Sequence, residues 1–217
     1  MSQSIVSKNH NGFQRRVICG DAFDYLNKID SIDGVIASLP DWDETNLSTP
    51  KDWSNWFILI VKMILEKLPD NGYAFFYQSD RKYEGKLIDK SYLCNEAARQ
   101  AGVPLLWHKI AIKREVECID LFRPTFTHLL LFGKGKPGKA IPDLFYTGKM
   151  IYKNAMGLNA CKICCDFFRG KSNTITDPFC GQGSVLAIAN AYGFNSIGVE
   201  ILPEFARKST NLEILTH

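Results

Sequence analysis

"TITDPFCGQGSVLAIANAYGFNSIGVEI", residues 174–201, decides the fold. A short apolar strand runs into a loop with glycines at 181 and 183, a helix opens behind them, and a second strand ends in Glu200. Glycine lets the backbone turn sharply and approach a ligand closely, while the helix N-terminus points its free N–H groups at it. A carboxylate at the next strand end can accept both hydroxyls of a ribose. A Gly-x-Gly pair alone also suits a tight turn with no ligand. The acid at the following strand end favours a nucleoside-binding half-fold. With only two glycines, and Asp177-Pro178-Phe179 leading straight in, a pyrophosphate is not the obvious ligand.

Outward from this stretch, strands and helices alternate. "RVICGD" (16–21) reads as a strand, Ala22 to Lys28 as a helix, and "GVIASLP" (34–40) as a continuous apolar strand buried on both faces. Apolar residues at 53, 56, 57, 60, 61, 64 and 65 make a helical stripe that stops at Pro69 and Asn71-Gly72. Strand 73–78, a helix from Lys90 to Ala101, and strands 105–113 and 127–134 follow. The last two are joined, through Phe122-Arg123-Pro124, by too few residues for a crossover helix and should pair antiparallel. A basic Gly/Pro loop, a helix from Leu158 to Arg169 and the opening stretch complete the pattern before a last short helix. This predicts one α/β domain over 1–217, a doubly wound, seven-stranded, mostly parallel sheet with an antiparallel edge pair, and a flexible segment over 1–14.

A chain of 217 residues, 46% hydrophobic, can bury one sizeable core. A net charge of +3 permits an acidic partner without pointing to one. Seven cysteines without a disulfide-framework spacing, and no signal peptide, predict free thiols in an intracellular protein. No apolar run approaches the roughly 20 residues that span a bilayer.

"DPFCGQGSVLAIANAYGFNSIGVEI" resembles the methionine-binding loop of S-adenosylmethionine-dependent methyltransferases, in the amino-methyltransferase branch whose loop reads Asp-Pro-Phe-x-Gly-x-Gly. The resemblance implies that Asp177, Phe179, Gly181 and Gly183, with Cys180 among them, wrap the methionine half of the cofactor. It implies that Glu200 holds the ribose. "VICGDAFDYLNKIDSIDGVIASLPD" is similar to the segment and catalytic strand that precede the loop in that branch, which implies contact of Asp21 with the adenine amino group. "NAMGLNACKICCDF" (154–167) matches more loosely a segment lying over the cofactor, with Met156 and Gly157 as candidates. The catalytic strand comes before the glycine loop, the permuted order of one class of DNA amino-methyltransferases. The resemblance covers about residues 16–210 and implies the Rossmann-like class I methyltransferase fold.

The same family ends its catalytic strand with Asp, Asn or Ser, then Pro-Pro, then an aromatic. The first side chain and the next carbonyl accept the two protons of an exocyclic amine, and the aromatic stacks on the base. Here the residues are Ser38-Leu39-Pro40-Asp41, followed by Trp42. Ser38 and the Leu39 carbonyl fit, Pro40 matches, Asp41 stands where the ring would, and Trp42 can supply stacking one place later. Asp41 can accept donors from a base or act as a base itself. The alternatives are that Asp41 and Glu44 only solvate a turn, or that the chain is a non-catalytic subunit of a nucleic-acid methyltransferase complex.

"CKICC" (161–165) lacks a second pair of ligands for zinc, so no metal is expected and buried helix thiols are. His108 and His128 fall within strands, as core or surface histidines. Arg81, Lys82, Lys113, Arg114, Arg123, Lys134, Lys136 and Lys139 are candidate phosphate contacts. The expected activity is methyl transfer from S-adenosylmethionine to a base amino group. RNA is favoured over DNA because the chain leaves no room for a target-recognition region, unless a protein partner supplies recognition. Protein or small-molecule methylation is the other alternative.

Overall fold

The computed structural model describes residues 4–10, 12–115, 117–120, 124–138 and 140–214. In chain order the elements are β1 (Ser4–His10), β2 (Phe13–Cys19), α1 (Ala22–Lys28), β3 (Gly34–Ala37), a single 3-10 turn (Trp42–Glu44), α2 (Pro50–Glu66), β4 (Tyr73–Gln78), β5 (Arg81–Tyr83) and β6 (Lys86–Ile88). They continue with α3 (Lys90–Ala101), β7 (Leu105–Ile112), β8 (Phe126–Gly133), β9 (Leu144–Tyr146), α4 (Leu158–Phe168), β10 (Thr174–Asp177), α5 (Ser184–Ala191), β11 (Asn195–Glu200) and α6 (Pro203–Asn211). Two compact units divide the chain. One is made of Met1–Ser38 with Thr147–His217 and is called here the glycine-turn unit; the other, Leu39–Tyr146, is the inserted unit.

In the glycine-turn unit the strand order is β1-β2-β11-β10-β3. The pairs β2/β11, β11/β10 and β10/β3 are parallel, and β1 closes the edge antiparallel to β2. The strand β3 is buried at every position, as a strand covered on both faces must be. Arg15 of β2 is 1% exposed. Its guanidinium donates to Asn190 Oδ1 at 2.7 Å and to the Ser209 and Leu212 carbonyls at 2.9 and 2.7 Å, which ties the strand to the ends of α5 and α6. Burial pushes this guanidinium down to about 10, and three acceptors offset the cost of hiding it.

In the inserted unit β4 pairs with β8 and β8 with β7, both antiparallel, and β9 lies parallel to β7. β5 and β6 form a separate hairpin. The helix α2 starts where Thr49 accepts the Asp52 N–H and Pro50 occupies the first turn. Its stripe of Trp53, Phe57, Ile60, Val61, Ile64 and Leu65 is buried, each side chain contributing about 1.5–3 kcal/mol. Among the described residues no helix is long and apolar enough to cross a membrane.

Three expectations need correction. The segment 4–10 is a strand, registered from Ser4↔Cys19 to His10↔Phe13, because β2 would otherwise leave an open edge. There are eleven strands rather than seven among the described residues, the additions being β1, the β5/β6 hairpin and β9. β3 stops at Ala37, short of the expected 34–40, so Ser38-Leu39-Pro40 leaves the strand as irregular chain. Phe122 and Arg123 of the expected loop, and Lys139, lie outside the described residues.

Candidate functional site

At the end of β10 the chain makes a turn whose backbone only glycine accommodates readily. Gly181 has φ +52° and Gly183, the N-cap of α5, has φ +91°. The turn is pinned from both sides: the Cys180 N–H donates to the Val199 carbonyl at 3.0 Å and the Gly183 N–H to the Cys180 carbonyl at 2.8 Å. The two glycines differ in what surrounds them. A Cβ on Gly183 would sit 2.7 Å from Ser209, whereas one on Gly181 would meet nothing nearer than the Tyr152 hydroxyl at 3.7 Å. Gly183 is required for packing, and Gly181 faces open space that a ligand can fill.

Two carboxylates flank this space. Asp177, 3% exposed, accepts the Phe179 N–H at 3.0 Å. Burial raises its carboxyl to about 7, with Glu200 adding to the effect. Half-buried Glu200 accepts the Leu202 N–H at 2.8 Å, and burial lifts it above the usual carboxylate range. Among the described residues neither has a cationic side chain in salt-bridge range. Asp21 belongs to the same end of the sheet, since the Gly20 N–H donates to the Glu200 carbonyl at 3.0 Å. Its Oδ1 caps α1 through the Phe23 N–H at 2.7 Å, leaving the carboxylate exposed.

The other expected residues divide. Phe179 is half-buried at the turn. Cys180 is 3% exposed, and its side chain packs with Val17, Leu186 and Ala206 in the core, so it can offer a ligand only its backbone. Met156 and Gly157 are buried at the start of α4, where a Cβ on Gly157 would strike the Thr147 carbonyl at 2.3 Å. Tyr152 was not singled out in the sequence; its hydroxyl lies 3.3 Å from Ser184 Oγ and 3.4 Å from the Ser184 N–H, over the opening of α5. A cavity of about 480 Å³ is lined by Gln182 and the polar face of α6, and it includes none of Asp177, Gly181 and Glu200. The cysteines 161, 164 and 165 are free and buried, and burial raises their thiols.

Ser38 follows β3, which pairs in parallel with β10 through Ile175↔Gly34 and Thr176↔Val35. Ser38 and the Asp177 turn therefore leave neighbouring strands at the same end. Ser38 is exposed and Leu39 is 3% exposed. The Pro40 carbonyl accepts the Trp53 indole N–H at 3.2 Å. One oxygen of Asp41 takes the Lys90 ammonium, and the other lies 3.3 Å from Arg81 Nε. The Asp41 N–H donates to Glu44 Oε2 at 2.9 Å. Lys90 is 2% exposed and lies over the Trp53 ring at 5.5 Å, and Arg81 also pairs with Asp43. Trp42 is fixed by its indole N–H on the Leu47 carbonyl at 3.0 Å and meets Tyr83 edge to face at 4.8 Å.

Several basic residues expected at phosphates are engaged within the protein. Besides Arg81, Lys113 donates to Ser79 Oγ at 2.8 Å, Arg114 pairs with Asp120 at 2.8 Å, and Lys134 donates to the Leu68 carbonyl at 2.9 Å. The histidines 108 and 128 are bonded to each other at 2.9 Å.

No protein-family model and no curated protein matches the chain. Solved structures do. TTHA0409 of Thermus thermophilus, which carries the description of a DNA modification methylase and was solved with S-adenosyl-L-methionine, superposes with a TM-score of 0.69 at 18% identity, over 88% of this chain and 89% of that one. The cytosine-N4-specific PvuII DNA methyltransferase gives 0.70 at 15% identity, over 90% and 84%. The M1.HpyAVI–SAM complex gives 0.62 at 15% identity, over 90% and 97%. At these identities the likeness is one of fold: the chain has the mixed α/β class I methyltransferase fold.

Proposed function

We propose that the protein is an S-adenosylmethionine-dependent methyltransferase acting on an amino nitrogen of a nucleic-acid base, with the whole chain, 1–217, working as one methyltransferase domain. The observation that carries this is the pair of carboxylates, buried Asp177 and half-buried Glu200, on either side of the open Gly181 turn, with no cationic side chain in salt-bridge range among the described residues. In a fold of which TTHA0409 and M1.HpyAVI were solved with S-adenosylmethionine, such a site fits a ligand with an ammonium, a sulfonium and ribose hydroxyls. Asp177 and the turn from Phe179 to Gly183 would hold the methionine half, Glu200 the ribose hydroxyls and Asp21 the adenine amine. Tyr152 would close over the turn.

When bound, the cofactor would supply an electrophilic methyl group on a sulfonium, which an in-line nitrogen lone pair would take as the sulfur–carbon bond breaks and the neutral thioether leaves. An exocyclic amine is a poor nucleophile because its lone pair is delocalised into the ring. The Ser38 hydroxyl and the Leu39 carbonyl accept its two protons and so localise that lone pair on the nitrogen. Trp42, held by Leu47 and Tyr83, offers a surface for the base. Both oxygens of Asp41 are taken by Lys90 and Arg81, so we read it as a positioning residue that holds the Pro40-Asp41-Trp42 turn rather than as a base.

The expectation of RNA rested on the length of the chain. The chain spans 84% of the PvuII enzyme and 97% of M1.HpyAVI, so length does not weigh against DNA. DNA is the substrate to test first. The test has two stages: calorimetry with S-adenosylhomocysteine, then transfer of labelled methyl groups to DNA, RNA and protein, with the labelled residue identified after digestion. We expect binding that Glu200→Gln weakens, and transfer to DNA that Ser38→Ala lowers while leaving cofactor binding intact. No binding at millimolar ligand would remove the cofactor reading, and transfer to protein alone would remove the nucleic acid.

A further inference from the structure

A group of donor atoms inside the inserted unit takes no part in that chemistry. Asp80 follows β4, Asp89 caps the start of α3, and His128 lies in β8. Their ligand atoms all lie within 4.8 Å of one another. Asp80 is 5% and His128 8% exposed, while Asp89 is exposed and leaves a way in.

The bonds around this group suit a cation. His128 Nε2 and Asp80 Oδ2 are 3.0 Å apart, joined by one proton where a metal ion could bridge them instead. His128 Nδ1 is held at 2.9 Å by His108 Nε2, the kind of outer partner that orients a metal-bound imidazole. Asp80 Oδ1 keeps the Lys90 backbone N–H at 2.9 Å, and Asp89 Oδ1 keeps the Tyr92 N–H at 2.8 Å, so each carboxylate is fixed by one oxygen. The Lys90 ammonium is turned to Asp41 and does not neutralise the pair.

A second observation is independent of the acids. Gln78 is 0% exposed, and neither its Nε2 nor its Oε1 has a hydrogen-bond partner. Leaving both ends of an amide unpaired in the interior is costly unless a ligand takes one of them. Gln78 stands directly opposite His128 in the β4/β8 register and two residues before Asp80, so its side chain leaves the sheet on the same side as His128.

We propose that Asp80, Asp89 and His128, with Gln78 Oε1 as a neutral fourth donor, bind a divalent transition cation. Oxygens with one imidazole and no thiolate suit Mn2+ or Zn2+. His128 binds through Nε2, with Nδ1 still held against His108. The ion ties β4, α3 and β8 together and is independent of the cofactor site.

Mn2+ is the probe, because the accessible thiols, exposed Cys118 and half-buried Cys19, would compete for Zn2+. The full chain, stripped with chelator, is titrated with Mn2+ while the free-ion EPR signal is followed. We expect one ion per chain. Asp89→Asn keeps a helix-capping side chain but removes a charged ligand, and His128→Gln removes the imidazole; each should weaken binding about tenfold or more. Both variants are compared at a temperature where far-UV circular dichroism shows them folded. The absence of stoichiometric binding by the unaltered protein, or binding that Asp89→Asn and His128→Gln leave unchanged, would overturn the site.

Discussion

The two units treat buried charge in opposite ways. In the inserted unit the acids that follow the Ser38-Leu39-Pro40 segment have found partners: Asp41 with Lys90 and Arg81, Asp43 with Arg81. In the glycine-turn unit Asp177 and Glu200 sit against backbone N–H groups, with burial raising both and no cation in salt-bridge range among the described residues. Matched charges hold a shape, whereas unmatched ones await a ligand. The contrast separates the Asp41 cluster, whose charges are matched before anything binds, from the glycine turn, whose electrostatics are completed by binding.

The comparison breaks most visibly at Lys90. Replacing it as Lys90→Met leaves Asp41 with Arg81 as its remaining cation, and the loss should be about 1–3 kcal/mol in urea unfolding. The double variant with Asp41→Leu should recover much of that. A loss under about 1 kcal/mol, the value of an exposed pair, would mean that the inserted unit does not depend on its ion pairs.

Of similar size is Gly183→Ala. With φ +91° and Ser209 at 2.7 Å from the new Cβ, it should cost at least about 1–3 kcal/mol. Gly181→Ala, with φ +52° and open space ahead, should cost about 1 kcal/mol and act chiefly on ligand binding. Equal losses at the two positions would erase the distinction between packing glycine and ligand-facing glycine.

A subtler test is pH. Asp177 has an ordinary value of 3.8 and a folded one of about 7. The folded state therefore holds the proton more tightly, so stability is highest below the lower value and falls as pH rises between the two, with the loss complete above the upper. The ligand-free protein should melt at a lower temperature at pH 8 than at pH 5, and Asp177→Asn should flatten that slope. The smallest effect is expected at the exposed Lys62–Glu66 pair of α2, where Lys62→Ala should cost no more than about 0.5 kcal/mol.

Where local chemistry sets an element, its bounds could be read before any coordinates. α1, β4 and α3 fall where the pattern put them, since Asp21 and Asp89 cap their helices, Gly102 at φ +67° ends α3, and Asn71-Gly72 punctuates the chain before β4. β1 could not be read, because Ser4–His10 has weak alternation and is a strand only by pairing with β2. The β5/β6 hairpin turns on Glu84-Gly85, both at positive φ, without the Asn-Gly or Asp-Gly pair that signals such turns. The glycine turn and its acids were legible as a unit because strand, turn and strand are contiguous. The partners of Asp41 were not: Lys90 is 49 residues away, and Arg81 read as a candidate phosphate contact. Gln78 is the last residue of the strand expected over 73–78, and nothing local marks an amide left unpaired.

The bond from the Trp53 indole to the Pro40 carbonyl has an optical consequence. Trp53 is 1% exposed, with its ring beneath the Lys90 ammonium, so its emission should be blue and sensitive to the charge above it. The residue that secures the end of the Ser38-Leu39-Pro40-Asp41 segment is thus a native fluorophore. It can signal, without any added label, when that segment shifts.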